Sequence, residues 1–316
     1  MPFFIAVKMV VFVRKSLSLY PHVRMPGKED LAGRFLVWLY TMIIGANCKI
    51  NLGLSITEKR PDGYHNLETV FYPVKWMDAL EVCVSSSAAE KVTFRAHGIA
   101  VDGRPEDNLV VKAYALLDRQ FDLPPVTVDL LKGIPLGAGL GGGSSDAAHM
   151  LKLLNGLFGL KLTDDELEAY AAQLGADCAF FIRNCPVYAE GIGNVFAPVD
   201  LSLKGYQIVV VKPPVFVSTR EAFARICPHR PEVAVKEAIA RPVSEWKDVL
   251  VNDFEASVFP QHPLIGEVKE ELYRQGAVYA SMSGSGSSVF GLFAPEAVVP
   301  EGTWGPDMYV FNGRLD

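Results

Sequence analysis

The sequence has few cysteines, and none of them stands in a pattern that builds a site. The five cysteines are an odd number, no C-x-x-C pair occurs among them, and the chain has no N-x-S/T sequon. Neither a disulfide framework nor a structural zinc site is therefore indicated. These absences favour a reducing interior, and we expect a cytoplasmic protein.

The chain also lacks long apolar runs and clustered positive charge. Its longest charge-free stretch near the N-terminus, Phe35–Cys48, is shorter than the roughly 20 apolar residues that a membrane-spanning helix needs. The formal net charge is −6, and no run of five Lys or Arg residues occurs. A membrane or nucleic acid is therefore not expected as a partner, since nucleic-acid affinity rests on clustered cations. No long heptad pattern points to a partner chain, so the sequence specifies no oligomeric state.

The first 41 residues differ in composition from the rest. They hold six Lys or Arg residues against two acidic ones, and their apolar residues follow no sustained period. We expect residues 1–41 to be an extension outside the fold and Met42 to be the true start; the alternative is a real N-terminal strand or helix. The remainder divides into two mixed lobes with a seam near residue 200. This predicts domains at 42–200 and 201–316 and an α+β fold rather than a repeating βαβ fold.

Apolar and polar residues alternate from Lys49 onward, which is typical of a strand with one apolar face. Ile50, Leu52 and Leu54 share one face, and Lys49 and Asn51 share the other. Further strands are predicted at Leu67–Val74, Ala79–Ser85, Val126–Leu131, Val187–Ile192, Gln207–Val211, Val278–Met282 and Ser288–Phe293. Apolar spacing and capping signals predict helices at Asn108–Gln120, Ala147–Phe158, Thr163–Leu174, from Ser218, and at Pro263–Gln275.

A glycine-rich segment carries the strongest functional signal. Five glycines fall within residues 137–143, and a helix follows. Glycines allow positive φ and let backbone N–H groups approach an anion, while a helix N-terminus adds free donors and partial positive charge. The serine hydroxyls that follow can contact phosphate or Mg²⁺. The alternative is a flexible turn before an ordinary helix. The expected ATP-binding residues here are Pro135, Leu136, Gly137, Ala138, Gly139, Leu140, Gly141, Gly142, Gly143, Ser144 and Ser145.

Other nucleotide motifs fit this segment poorly. No G-K-S/T follows, so it is not a Walker A loop, and the companion motifs of protein kinases do not occur. Gly137, Gly139 and Gly142 match the G-x-G-x-x-G spacing of dinucleotide folds. That fold needs a strand that runs directly into the first glycine and a second parallel strand after the helix. Here Ile134-Pro135 intervenes and a second helix follows, which disfavours a dehydrogenase.

The segment Pro135–Ala148 resembles the phosphate loop of the galactokinase, homoserine kinase and mevalonate kinase (GHMP) superfamily. Lys49–Leu52 and Arg60–His65 resemble the opening of one branch, the 4-diphosphocytidyl-2-C-methyl-D-erythritol kinase family. Leu174–Asp177 is similar to its catalytic-aspartate motif, and Ser283–Gly286 to the C-terminal loop of the superfamily. The resemblance covers residues from about 42 to about 294, with these segments in the family's order.

The resemblance implies a two-lobed GHMP kinase fold. Its N-terminal lobe would be of the left-handed-crossover type, its C-terminal lobe ferredoxin-like, and the active site would lie in the cleft. It also implies an Mg²⁺-ATP-dependent transfer of phosphate to the 2-hydroxyl of a substrate with a cytidine diphosphate moiety, in the non-mevalonate route to isopentenyl diphosphate. The alternatives are another small-alcohol kinase of the superfamily, or a nucleotide-binding regulator that has lost catalysis.

The resemblance assigns roles to two charged residues. Asp177 would be the base that takes the acceptor proton, and Lys49 would stabilise charge beside it. By themselves, Asp177 could cap a helix and Lys49 could be solvated. The chain departs from the family at Cys48, where alanine is usual, and at Cys178-Ala179, where Val-Pro is common. Both departures concern packing more than chemistry.

The resemblance assigns the substrate contacts to Asn51, Tyr64, His65 and Thr219, and it places Asn108 near the adenine of ATP. The Tyr64 ring would stack on cytosine, and the His65 imidazole would bind its edge. The alternatives are surface loop residues for Tyr64 and His65, a helix start for Thr219 and a helix cap for Asn108. The Mg²⁺ ligands are not identified. His97, His149 and His229 are predicted to lie on the surface.

Overall fold

The computed structural model describes residues 41–85, 90–299 and 304–316. The predicted extension lies outside the described residues, apart from Thr41, which begins the first strand. The strands are β1 (Thr41–Lys59), β2 (His65–Val84), β3 (Val92–Gly98), β4 (Val126–Lys132), β5 (Val187–Glu190), β6 (Val195–Pro198), β7 (Gln207–Lys212), β8 (Tyr279–Met282), β9 (Val289–Phe293) and β10 (Tyr309–Arg314). The helices are α1 (Leu109–Phe121), α2 (Gly142–Phe158), α3 (Asp164–Ala171), α4 (Phe180–Arg183), α5 (Thr219–Phe223), α6 (Val235–Ala238), α7 (Phe254–Val258) and α8 (Pro263–Arg274), with 3₁₀ turns at Pro105–Asp107 and Val243–Asp248.

The first sheet contains β1 to β6 and is built around β2. β1 pairs antiparallel with β2 along most of its length, while β4 and β5 pair antiparallel with different parts of β2. β3 runs parallel to β4 and connects to it through α1, so the first lobe contains a parallel crossover connection. Helices α1 and α2 pack on this sheet and bury the apolar side chains of one core.

The predicted break between the strands Leu67–Val74 and Ala79–Ser85 is wrong. The chain forms one continuous strand, β2, from His65 to Val84. In its register, Cys48 pairs with Val74 but Asn47 pairs with Met77, so Lys75 and Trp76 are taken up in a bulge. A bulge interrupts the alternation of faces without ending the strand, which explains the apparent gap in the sequence pattern.

The second sheet has the strand order β10-β7-β9-β8 and is antiparallel throughout. In the order of the chain this is 4-1-3-2, the ferredoxin-like arrangement, and α8 packs on β8 and β9. The predictions missed β3, β6 and β10, which lie at sheet edges and have mostly exposed or half-buried side chains. Such strands lack the alternation of apolar and polar residues that predicts a strand from the sequence.

A shared apolar core joins the two sheets. Ile50 and Val70 of the first sheet and Phe290 of the second are buried in one cluster, together with Trp246 and Tyr279. The predicted two-lobed α+β fold is therefore confirmed, with β1 running between the lobes. The first sheet ends at Pro198 and the second begins at Gln207, on either side of the predicted seam. The domain bounds themselves stay a prediction.

The helix starts follow the predicted capping signals. Asn108 accepts a hydrogen bond from the Val110 N–H, and Thr163 and Glu166 form the reciprocal capping box of α3. The predicted end of α3 at Leu174 is wrong: α3 ends at Ala171, and tight turns continue to Gly175. Within the described residues, no helix is both long and apolar enough to cross a membrane.

Candidate active site

Two cavities border the glycine-rich loop. The interlobe cavity, of about 570 Å³, is lined by β1 and β2 of the first lobe and by α5 and residues 284–285 of the second. The first-lobe cavity, of about 390 Å³, is lined by the start of α1, the end of β4 and the start of α2. Gly139 and Gly141 line the interlobe cavity, whereas Leu136 and Gly143 line the first-lobe cavity. A ligand that follows the loop can therefore reach both.

The loop takes a conformation that requires glycine. Gly137, Gly139 and Gly141 have φ of +56°, +73° and +70°. A Cβ on Gly139 would lie 2.0 Å from the carbonyl oxygen of Ser283. Helix α2 begins at Gly142, directly after these residues, so its free N–H groups and positive end adjoin the loop. This geometry suits a bound phosphate.

The loop that contains Ser283–Gly286 contacts the glycine-rich loop from the second lobe. The Ser283 hydroxyl donates to the Gly139 carbonyl at 2.9 Å, and the Ser288 N–H donates to the Ala138 carbonyl at 3.2 Å. The Asn252 amide donates to the carbonyls on either side of Ser283, at 2.7 and 2.9 Å. The family-like segment at Ser283 thus fixes one lobe against the other at the loop.

Lys49 is buried rather than solvated, with 4% of its surface exposed. Its Nζ donates to Asn51 Oδ1 at 2.6 Å and to the Gly139 carbonyl at 3.3 Å. Asp177 Oδ2 lies 3.5 Å from the same Nζ, and its side chain is 34% exposed. The Phe71 ring covers the ammonium at 4.8 Å. The fold therefore brings Lys49, Asn51 and Asp177 together beside the glycine-rich loop, although 126 or more residues separate Asp177 from the other two.

The remaining predicted substrate residues line the same cavity. Tyr64, His65 and Thr219 all border the interlobe cavity. The Tyr64 side chain is 62% exposed. The His65 ring stacks on Phe223 with centroids 4.7 Å apart and planes 20° from parallel. A flat aromatic wall at the mouth of the cavity suits a planar ring of a ligand.

Comparison with known proteins agrees with this arrangement. A family model described as "GHMP kinases N terminal domain" matches residues 108–184, and one described as "GHMP kinases C terminal" matches residues 234–301. The chain is 68% identical over 274 residues to the 4-diphosphocytidyl-2-C-methyl-D-erythritol kinase of Bacteroides thetaiotaomicron, across 87% of this chain and 100% of that protein. It is 55% identical to the kinase of the same name from Parabacteroides distasonis, with the same coverage. The chain belongs to the 4-diphosphocytidyl-2-C-methyl-D-erythritol kinase family.

Solved structures agree in fold. A crystal structure of 4-(cytidine 5'-diphospho)-2C-methyl-D-erythritol kinase matches with a TM-score of 0.66 and 34% identity, over 79% of this chain and 90% of that one. Methanococcus jannaschii mevalonate kinase matches with a TM-score of 0.64 at 14% identity, over 87% of this chain and 98% of that one, which shows a shared fold. Membership of this kinase family implies that ATP is the phosphate donor.

The first-lobe cavity contains fewer of the predicted residues. Asn108 lines it and also caps α1, where its Oδ1 accepts a hydrogen bond from the Val110 N–H. Pro135, Ala138 and Leu140 are buried and line neither cavity, and the Ala138 and Leu140 carbonyls accept hydrogen bonds from Ser288 and Lys49. Ser145 lines neither cavity. It is fully buried, its hydroxyl lies 3.1 Å from the His149 Nδ1, and its N–H donates to Gly141.

The prediction that His149 lies on the surface is wrong. This residue is 3% exposed, and burial lowers its imidazole pKa to about 4. It follows Ser145 by one turn of α2 and packs beside Phe181, at 6.5 Å between ring centroids. His97 and His229 do lie at the surface, with side chains 54% and 58% exposed.

The cysteines that depart from the family pattern are packing residues. Burial raises the pKa of the Cys48 thiol to about 12 and that of Cys178 to about 11. Both thiols are therefore neutral near pH 7, and Cys178 contacts the Ser144 side chain beside the loop. Neither residue supplies a charge to the cavity.

Sequence reasoning missed several cavity residues. Thr69 receives a hydrogen bond from the Asn51 amide at 3.1 Å and thereby orients it. Phe223 and Arg220 enter the interlobe cavity from α5. The Ser218 cap identified this helix, but only the tertiary fold shows which cavity it faces. Asp78, Lys132 and Asp146 form a buried cluster next to the first-lobe cavity, which no local pattern indicated.

The side chains fit an Mg²⁺ that is held mainly by a nucleotide. No group of three or more His, Cys, Asp or Glu side chains that could hold a metal occurs in the described part of the chain. Mg²⁺ in such kinases usually takes one or two carboxylates plus phosphate oxygens and water. Asp177 supplies one carboxylate at the wall of the interlobe cavity.

Proposed function

We propose that this protein transfers the γ-phosphate of ATP to the 2-hydroxyl of 4-diphosphocytidyl-2-C-methyl-D-erythritol, giving the 2-phosphate and ADP. This step belongs to the non-mevalonate route to isopentenyl diphosphate. The observation that carries the proposal is the Lys49–Asp177 pair, which lies in a cavity bounded by the glycine-rich loop. All five cysteines are free, which supports a reducing compartment, and we assign the reaction to the cytoplasm.

ATP would lie along the glycine-rich loop. Its adenine would occupy the first-lobe cavity near Asn108, and its phosphates would receive hydrogen bonds from the loop and from the N-terminus of α2. The γ-phosphate would then lie near Gly139 and Gly141, at the wall of the interlobe cavity. Asp177 is the carboxylate that would contact an Mg²⁺ bound to the phosphates, and such an ion would supply positive charge to the transferred group.

The acceptor would enter the interlobe cavity. Asp177 is partly exposed there, so it can accept the hydroxyl proton as the phosphoryl group arrives. The Lys49 Nζ lies 3.5 Å from the Asp177 carboxylate, so it can stabilise negative charge on an acceptor oxygen that approaches Asp177. Asn51 is oriented by Thr69 and can bind the same substrate.

The cytidine would bind at the aromatic mouth of the cavity. The exposed Tyr64 ring can stack on the base, since base–aromatic stacking contributes roughly 1–3 kcal/mol. His65 is stacked on Phe223, so its ring edge is available to hydrogen-bond the base. Thr219 lies on the same wall and would contact the substrate.

A coupled ADP-release assay with Mg-ATP tests the proposal. The acceptors to compare are 4-diphosphocytidyl-2-C-methyl-D-erythritol, free methylerythritol, mevalonate, homoserine and galactose. We expect turnover with the cytidylated acceptor alone. Turnover with another alcohol would instead identify a different small-alcohol kinase, and ATP binding without turnover on any acceptor would identify a regulator that has lost catalysis.

A further inference from the structure

Three charged side chains form a buried cluster behind the glycine-rich loop. Lys132, the last residue of β4, donates from its Nζ to the Asp78 carboxylate and to Asp146 Oδ2, the latter at 2.9 Å. Asp78, Lys132 and Asp146 are 1%, 3% and 2% exposed. The three residues come from β2, β4 and α2, so the cluster joins three elements that meet at the loop.

The cluster binds the loop at both of its ends. Asp78 Oδ1 accepts hydrogen bonds from the Gly133 and Ile134 N–H groups, at 2.6 and 2.8 Å, where the chain leaves β4. Asp146 lies in the first turns of α2, where the chain leaves the loop. Lys132 connects the two carboxylates. A single ammonium group therefore bridges a carboxylate at the start of the loop and a carboxylate at its end.

Stability alone does not account for this cluster. Removing three charges from water is costly, and a buried ion cluster is often no more stable than apolar residues of the same volume. Two carboxylates share one lysine here, so the cluster has excess negative charge if both are ionised. Burial raises the pKa of the Asp146 carboxyl; the Lys132 ammonium opposes this rise and the neighbouring Asp78 adds to it. Such an arrangement is better explained by the geometry that it imposes.

That geometry bears on the nucleotide. Lys132 and Asp146 line the first-lobe cavity together with Gly143 and Asn108. A Cβ on Gly142 would come 3.4 Å from the Lys132 Nζ, so the cluster packs directly under the first helical residue of α2. None of the three side chains borders the interlobe cavity. A displacement of the cluster would therefore alter the nucleotide side of the loop before the acceptor side.

We propose that Asp78, Lys132 and Asp146 are positioning residues that hold the two ends of the glycine-rich loop at the separation which binds the nucleotide. The inference rests on the proposed use of ATP, and it is independent of the identity of the acceptor. Positioning residues at the nucleotide side weaken the binding of the nucleotide, whereas a cluster with a purely structural role would weaken the binding of nucleotide and acceptor alike.

The test compares Asp146→Ala with Asp146→Asn in the full chain. Asp146→Ala removes the connection to Lys132, and we expect the ADP Kd and the ATP KM to rise about 10-fold with the acceptor KM within about 2-fold of wild type. Asp146→Asn retains an oxygen that can accept from Lys132, so it should restore most of the affinity. Asp129→Ala is the matched control, since Asp129 also lies on β4 but pairs with Arg95 and His97 at the surface.

Calorimetric titration with ADP keeps this test separate from the reaction. If the wild type binds ADP but phosphorylates no cytidylated acceptor, the proposed function fails while the effect of Asp146→Ala on the ADP Kd still decides the inference. If Asp146→Ala does not fold, Lys132→Arg replaces it: the larger guanidinium keeps the charge but shifts the loop, and the ADP Kd should again rise. Unchanged ADP affinity in a folded variant, or equal rises in both KM values, would overturn the inference.

Discussion

Two groups of lysine and aspartate side chains flank the same loop. They differ in the exposure of the carboxylates, in the distances between the charges and in the number of carboxylates. The open pair, Lys49 and Asp177, has its charges 3.5 Å apart and a carboxylate that is 34% exposed to the interlobe cavity. The closed cluster at Lys132 has contacts of 2.9 Å or less and side chains that are at most 3% exposed. Surroundings, more than residue type, therefore determine what each group can do.

Hydrogen-bond partners explain the difference. Lys49 divides its donors among an amide, a backbone carbonyl and a distant carboxylate, so it can turn toward a substrate oxygen. Lys132 is held by two carboxylates, and Asp78 is held in turn by two backbone N–H groups. A group that must move a proton needs a free lone pair and access, whereas a group that fixes the backbone needs neither.

The largest expected effect is at the open pair. Asp177→Asn removes the proposed base while keeping its size, so we expect kcat to fall by about 10²-fold or more. The ADP Kd should stay close to wild type, because the loop is unchanged. Steady-state kinetics and calorimetry measure the two quantities. Asp165→Asn, an 85% exposed carboxylate of α3, is the control, and near wild-type turnover of Asp177→Asn would remove the proposed role.

The next effect concerns Gly139, whose carbonyl accepts hydrogen bonds from Lys49 of the open pair and from Ser283 of the second lobe. Gly139→Ala places a Cβ 2.0 Å from the Ser283 carbonyl oxygen and strains a backbone at φ +73°. We expect a loss of about 3 kcal/mol or more in the free energy of unfolding, measured by urea titration. Gly63→Ala is the matched control, because Gly63 has φ +87° but no atom within 4 Å of the added Cβ.

Backbone strain alone should cost Gly63→Ala about 1 kcal/mol. The difference between the two variants then measures the contact between the glycine-rich loop and the second lobe. Equal losses of unfolding free energy in the two variants would mean that the contact between Gly139 and Ser283 adds no stability. The second lobe would then not hold the loop in place beside the open pair.

A third effect concerns the buried histidine of α2. His149 has a pKa of about 4 in the fold, against about 6.5 in the unfolded chain, so the unfolded state binds more protons between these values. Its contribution to stability is fully present above pH 6.5 and is lost as pH falls toward 4. At pH 5 we expect a loss of about 2 kcal/mol. Urea titrations at pH 7 and pH 5 should show a smaller loss in His149→Gln.

His97→Gln is the control for that experiment, since His97 is more than half exposed and pairs with Asp129. It should leave the difference between the two pH values close to wild type. If His149→Gln lost as much stability on acidification as the wild type, the acid sensitivity would arise elsewhere in the molecule.

The contrast between the open pair and the closed cluster also explains which residues the sequence could predict. Strand alternation predicts that Lys49 and Asn51 share one face, and glycine spacing predicts the loop, because these signals are local. The helix predicted from Ala147 begins five residues earlier, since α2 starts at Gly142. The connection from Lys132 to Asp78 spans 54 residues, and a lysine at the end of a strand is usually solvated. Local pattern alone therefore left the closed cluster unseen and identified only the residues of the open side that also matched a known family.

The sequence also failed to predict the surroundings of several helix residues. The prediction of a surface position for His149 is wrong because this residue stands four residues after Ser145, on the buried face of α2. Arg220 and Phe223 lie on a helix whose start was predicted, yet the opposite wall of their cavity is formed by β1 and β2 of the other lobe. Helix capping and apolar period determine where a helix begins and which side is buried, but they do not specify what the exposed side faces.

The smallest expected effect is at the mouth of the open side. Tyr64→Ala removes a ring that is 62% exposed and has no role in the loop, so folding and the ATP KM should be unchanged. Loss of a stacked base should raise the KM for the cytidylated acceptor about 10-fold, and Tyr64→Phe should keep it near wild type. If Tyr64→Ala leaves that KM unchanged, the cytidine binds against His65 and Phe223 instead. The contacts that select the substrate would then lie deeper in the interlobe cavity.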